Sequence, residues 1–168
     1  MMLIRTVNKL IILSMVPVLL VACGFKLQTR AELPPEMQQT RLEISLPYSP
    51  FARRLETLLE QNGARIVESE SNAAILVVPQ NLTRREIQSI GDNARVREFL
   101  IRHTVQFHLL DSEGNELIPM QTLEQSRVYE FNEQDILAAE RESEFLSNDL
   151  ADSLARMVVR RLGTYGEK

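Results

Sequence analysis

Arg97-Glu98-Phe99-Leu100-Ile101-Arg102-His103-Thr104-Val105-Gln106-Phe107-His108-Leu109-Leu110 is the stretch that decides the fold class. Phe99, Ile101, Val105, Phe107 and Leu109 share one face with His103. Glu98, Arg102, Thr104, Gln106 and His108 fall on the other, joined by Leu100. This period of two is the pattern of a strand with one face on a core and the other in water. Working outward, Ser112-Glu113-Gly114-Asn115 reads as a hairpin turn and Leu117 to Phe131 as the returning strand, interrupted by Pro119. On the other side, Gly91-Asp92-Asn93 is a turn signal. Before it, Ala73 to Val78 is rich in β-branched residues and reads as strand, with Pro79 implying an edge or a bulge. Leu82 to Ile90 is open between a continuation of that strand and a loop.

Further out, Arg41-Leu42-Glu43-Ile44-Ser45-Leu46 alternates like a half-buried strand and stops at Pro47. Ser49 is placed to cap a helix with Pro50 at its first position, and Gly63 closes that helix after Asn62. Phe51, Ala52, Leu55, Leu58 and Leu59 recur at three- and four-residue steps and give it one apolar stripe. Ile66-Val67 reads as a short strand. Towards the end, Asn132 is a candidate cap, and Glu133 and Asp135 suit the positive end of a helix dipole. From Ile136 to Leu162 there is no glycine or proline. Leu146, Leu150, Leu154, Val158 and Leu162 recur every fourth residue with Met157 beside them, the mark of a long amphipathic helix. Two helices on one face of a mixed, mostly antiparallel sheet of about four strands, an α+β two-layer sandwich, is the economical packing for this order.

The chain of 168 residues is 44% hydrophobic and 25% charged, enough for the core of one domain, and one cysteine excludes an internal disulfide framework. The first 22 residues stand apart. Arg5 and Lys9 precede an apolar run from Leu10 to Ala22, broken only by Ser14 and Pro17. That run is shorter than the roughly 20 residues a spanning helix needs. A basic start, a short apolar stretch and small residues at its end form the layout of a secretory signal. Leu20-Val21-Ala22-Cys23 resembles the lipobox of bacterial lipoprotein signals, in which the cysteine is acylated and becomes the first residue of the mature chain. Residues 1–22 are therefore expected to be a signal peptide, 23–40 an acylated cysteine and a tether containing Pro34-Pro35, and 41–168 one domain. Gly24 follows the cysteine where lipoproteins retained at the inner membrane often carry Asp, so the resemblance implies an anchor on the periplasmic face of the outer membrane. Losing the leader removes two basic and no acidic residues, which makes the chain more acidic than its net charge of −4. That balance argues against nucleic acid as a partner, while leaving room for an anionic lipid held by a local basic patch.

Chemistry is sparse. His103 and His108 point to opposite faces of one strand and cannot chelate one metal from it; His103, on the apolar side, reads as a satisfied core histidine. No nucleophile elbow, phosphate loop or dinucleotide glycine pattern is present, so no catalytic residue, metal or cofactor is expected. Glu140, Glu142 and Glu144 read as a solvated helix face. Arg84-Arg85 and Arg95, Arg97 and Arg102 lie on or beside the long strands, with 95 and 97 on one face and 102 on the other. They are either surface arginines paired with Glu86 and Glu98 or a basic patch able to hold phosphates bidentately.

Cys23-Gly24-Phe25-Lys26-Leu27 after a lipobox resembles the mature start of the LptE family of lipopolysaccharide-assembly lipoproteins. The order of tether, the strand around Leu42–Leu46, the Pro50–Gly63 helix, the Glu98-Phe99 strand, Arg127–Phe131 and a final helix ending Arg160-Arg161-Leu162 is similar as well. The resemblance implies a non-enzymatic outer-membrane lipoprotein that plugs and helps assemble the LptD β-barrel and binds lipopolysaccharide for delivery to the outer leaflet. It also implies basic lipopolysaccharide-binding residues after the second strand and near the start of the last helix, where Arg95, Arg97 and Arg141 are the nearest. The alternative is an outer-membrane lipoprotein acting as a periplasmic or cell-wall binding module without a barrel partner.

Overall fold

A computed structural model describes residues 32–69 and 71–166. The leader, the lipobox and Cys23 lie outside the described residues. A 3-10 turn, Pro35–Gln38, leads into β1 (Gln39–Ile44). Then come α1 (Pro50–Gln61), β2 (Arg65–Ile66), β3 (Ala74–Ile90), β4 (Val96–Leu110), β5 (Glu116–Glu130) and α2 (Ile136–Gly166). The five strands form an open mixed sheet in the order β2-β1-β3-β4-β5. β1 runs parallel to β2 and β3, and the β3–β4 and β4–β5 pairs are antiparallel. The α+β class and the two helices hold; the sheet has one strand more than expected, because Arg65–Ile66 pairs with β1.

Local chemistry explains most boundaries. Ser49 Oγ accepts from the Ala52 backbone N–H at 3.1 Å and Pro50 opens α1, as the cap pattern requires. Gly63 sits at φ 98°, a left-handed conformation that ends the helix cheaply only for glycine. At the β4–β5 turn the Asp111 carboxylate accepts from the backbone N–H groups of Glu113 and Asn115 at 2.8 Å each. Its other oxygen takes the Asn115 side-chain amide, and that bond leads the causes holding Asp111 below the usual carboxylate range.

Two expectations are corrected, and one open reading is decided. The segment given as tether through residue 40 is folded from Pro34 onward: Met37 is fully buried, and the Thr40 hydroxyl donates to the Met37 carbonyl. The cap of α2 is Asp135, whose carboxylate accepts from the Ala138 N–H at 3.3 Å, while Asn132 instead closes the preceding turn onto Gln134. The ambiguous Leu82–Ile90 is strand, continuous with Ala74–Val78 as a single β3 of 17 residues. Pro79 interrupts neither, because the register shifts between Val77 and Gln80. This bulge carries a proline, which has no N–H to give the ladder, inside a strand flanked by β1 and β4.

Both helices cover one face. Phe51, Leu55 and Leu59 of α1 and Leu154, Ala155, Val158 and Leu162 of α2 close on Leu76, Val78, Val105, Phe107 and Leu109. A second, smaller cluster lies under the first half of α2, where Ala139 and Leu150 meet Ile101 and Tyr129, with Phe99, Phe131 and Leu146 packed against it. The other sheet face has no covering element among the described residues. It carries an ion-pair row across β3, β4 and β5, in which Arg102 bridges Glu86 and Glu124.

Candidate functional site

The site is built where two connections meet at one end of the long strands. The β3–β4 turn is tight: Gly91 N–H donates to the Arg95 carbonyl at 2.7 Å, and Ala94 N–H to the Gly91 carbonyl at 2.9 Å. Ala94 takes the left-handed conformation at φ 61°. Beside this turn passes the β5–α2 connection, docked by the Phe131 N–H on the Arg97 carbonyl at 2.8 Å. Between them lies a cavity of about 510 Å³ lined by Gly91, Arg95, Arg97, Phe131, Asn132 and Glu133, among others.

Arg95, in the turn just before β4, and Arg97, in β4, both line this cavity. Arg95 Nη1 donates to Glu133 Oε2 at 2.7 Å, across the cavity from one connection to the other. Arg97 has no carboxylate partner among the described residues. Its aliphatic stem lies over Gly91, where a Cβ would sit 3.0 Å from Arg97 Cδ. Arg141 does not join them: it is exposed on α2 and does not line the cavity.

The apolar wall continues inward. Phe131 meets Phe99 edge-on at 5.2 Å between ring centroids, and Phe99 stacks on Tyr129 at 5.8 Å. The Arg85 guanidinium lies 5.0 Å from the Phe99 ring centroid and pairs with Glu140 at 2.9 Å, the main reason its basicity is raised. Ile87, Ile90 and Ile136 are exposed at the same end. The arrangement offers an open cation, a clasped cation and adjacent apolar surface, which is chemistry for holding an amphipathic anion. The expected pairing of arginines with Glu86 and Glu98 holds for Arg102 with Glu86, whereas Glu98 accepts from the Ser89 hydroxyl at 2.6 Å. Glu140, read as part of a solvated face, is the partner of Arg85. Nothing local in the sequence marks Phe131 and Glu133 as site residues, since each gains its role from a residue more than 30 positions earlier in the chain, Phe99 and Arg95 respectively.

A second polar centre is buried. His103 is 3% exposed and its Nε2 lies 2.7 Å from Asn81 Oδ1. Asn81 Nδ2 donates to Ser49 Oγ at 2.8 Å, so the strand histidine is linked to the cap of α1. His103 is a core residue as expected, but satisfied on one nitrogen only: Nδ1 is buried without a partner. Burial pushes its pKa below 6.5.

The model of the LptE family, described as lipopolysaccharide-assembly, matches residues 39–162, from the first residue of β1 into the last turns of α2. The chain belongs to the LptE family. A relative from Yersinia pestis strain Pestoides F, "LPS-assembly lipoprotein LptE", is 30% identical over 156 residues, covering 92% of this chain and 74% of that protein. The Yersinia enterocolitica protein of the same name is 27% identical over 155 residues, 91% of this chain and 74% of its own. Among solved structures, lipoprotein B from Nitrosomonas europaea superposes with a TM-score of 0.71 at 23% identity, covering 86% of this chain and 93% of that one. A minor lipoprotein from Acinetobacter baumannii gives 0.66, also at 23% identity, with 76% and 92% covered. These two likenesses show that the two lipoproteins share the fold of this chain.

Proposed function

We propose that this LptE-family chain is a non-catalytic outer-membrane lipoprotein, anchored through acylated Cys23, that plugs and helps assemble the LptD β-barrel and binds lipopolysaccharide. The observation that carries the binding reading is the cavity at the β3–β4 turn, where Arg95 and Arg97 stand beside Phe131. Guanidinium groups match phosphate oxygens in a bidentate fork, and the adjoining aromatic and isoleucine surface suits the acyl region of the same molecule. Arg141, on the outer side of α2 between exposed Leu137 and Phe145, belongs to this reading as a more distant basic contact.

The plug reading draws support from the uncovered sheet face and from β5, a 15-residue edge strand with no neighbour on its outer side among the described residues. Such an edge invites pairing unless something covers it. A rigid sheet with a mixed charged and apolar face suits the polar lumen of a wide barrel.

The test has two arms. Full-length tagged protein extracted from outer membranes in detergent is expected to retain a large β-barrel in stoichiometric amount. No barrel partner at normal expression would sink the plug reading and favour a periplasmic binding module. In the second arm, the Arg95→Asp/Arg97→Asp double variant is expected to lose lipopolysaccharide binding. Undiminished binding would remove the cavity from the account.

A further inference from the structure

We propose that the Glu133 carboxylate is a built-in competitor for the anion, held on Arg95 in the free protein and displaced from it when a lipid-borne phosphate monoester enters the cavity. This deepens the lipopolysaccharide-binding reading of the cavity and rests on it.

The geometry supplies the competitor. Arg95 Nη1 and Glu133 Oε2 are 2.7 Å apart and bridge residues 38 positions apart, joining the β3–β4 turn to the β5–α2 connection. A carboxylate on a guanidinium occupies the position a phosphate oxygen would take. The pair is solvent-facing, with side chains 64% and 47% exposed, and pairs of that kind contribute little stability, so it is displaceable. Residues 132–137, which carry Glu133, include no buried side chain, and local hydrogen bonds hold them in place. Glu133 therefore leaves Arg95 without unpacking the core.

Arg97 supplies the entry. It has no carboxylate partner among the described residues, and Gly91 lets its stem lie flat against the turn. An incoming phosphate meets Arg97 first and then competes with Glu133 for Arg95. A monoanionic carboxylate would merely exchange like for like at Arg95. A phosphate carrying more charge gains from both arginines, so the clasp selects for phosphate over fatty-acid carboxylates.

The experiment measures binding of lipopolysaccharide to the full chain in detergent at fixed ionic strength. Glu133→Gln is expected to tighten binding by about two- to five-fold, the range an exposed ion pair spans. Glu130→Gln removes the same charge at the same end of the sheet, from a residue that neither lines the cavity nor touches an arginine clasp, and is expected to leave affinity within about two-fold of wild type. In the Arg95→Ala background, Glu133→Gln is expected to bring no gain, because the clasp is already gone. Equal gains from the two neutralising substitutions, or a gain that persists without Arg95, would reduce the effect to general electrostatics and overturn the proposal. If Arg95→Ala weakens binding while Glu133→Gln changes nothing, the cavity stands and the clasp falls. If Arg95→Ala also changes nothing, the cavity reading itself falls. Inorganic phosphate is the control for source: it is expected to compete with lipopolysaccharide, and tightening by Glu133→Gln without such competition would place the clasp outside lipid binding and overturn it.

Discussion

His103 Nε2 and Asn81 Oδ1 lie 2.7 Å apart in the interior, and the same Asn81 side chain donates to Ser49 at the start of α1. With Nδ2 turned to Ser49, Oδ1 must accept, so His103 carries its proton on Nε2. Strand β4, the bulged part of β3 and the cap of α1 are thereby tied by one asparagine. Asn81→Leu leaves the histidine N–H without an acceptor inside the core. It is expected to cost about 1–3 kcal/mol in urea denaturation, the range for a stranded buried donor. A cost no larger than that of an exposed β3 substitution such as Thr83→Leu would show that the link carries no stability.

The same histidine sets a pH dependence. Burial lowers its folded-state pKa below the ordinary 6.5, and protonation would put a second N–H on an Nδ1 that has no partner. Between the lowered folded value and 6.5 the unfolded chain binds more protons than the folded one. Stability from this group is therefore complete above about pH 6.5 and is lost as pH falls below it. His103→Gln keeps a donor for Asn81 and removes the titration. It is expected to flatten the fall in melting temperature between pH 7 and pH 5. Parallel curves for variant and wild type would assign that fall to other groups.

The alternation in β4, the stripes of both helices and the Ser49–Pro50 start were legible because each is a local pattern with one period. In β3 the part up to Val78 and the break at Pro79 were legible, but the continuation through Leu82–Ile90 was not, because the bulge at Pro79 changes which residues face the helices. Ala74, Leu76 and Val78 point inward before it, and Asn81, opposite Val105, after it. A single period-two frame loses the strand at that point. The two-residue β2 was legible at Ile66-Val67 but not its bounds: too short to show a period, it pairs as Arg65–Ile66 where β1 offers it an edge. At the site, Arg95 and Arg97 were legible as cations near a turn. Glu133 and Glu140 were not legible as their neighbourhood's anions, since the ion pairs span 38 and 55 positions and depend on α2 folding back over the sheet.

Phe107 marks the centre of the two-layer core: it is fully buried beneath both helices, opposite the bulge in β3. Phe107→Ala removes most of a fully buried side chain of the main core cluster. It is expected to cost about 3–5 kcal/mol, combining lost transfer energy and a residual cavity. Denaturant titration with an unchanged slope would confirm it, and a loss under 1 kcal/mol would mean that the two layers are not packed on that ring.

Gly91 tests the cavity without altering a charge. It shows no positive φ, so its value lies in what it lacks rather than in backbone freedom. A Cβ there would stand 3.0 Å from Arg97 Cδ, 3.2 Å from Arg97 Cγ and 3.1 Å from Asn93 Oδ1. The arginine stem is flexible and exposed, so Gly91→Ala is accommodated by swinging the guanidinium away rather than by moving the turn. Stability is therefore expected to stay within about 0.5 kcal/mol of wild type, as for other surface substitutions. Lipopolysaccharide binding is expected to weaken in the same direction as Arg97→Ala, with no further loss when the two are combined, because both act by taking one guanidinium out of position. Full affinity in Gly91→Ala with Arg97→Ala still defective would show that Arg97 reaches the ligand from a rotamer that does not rest on the turn.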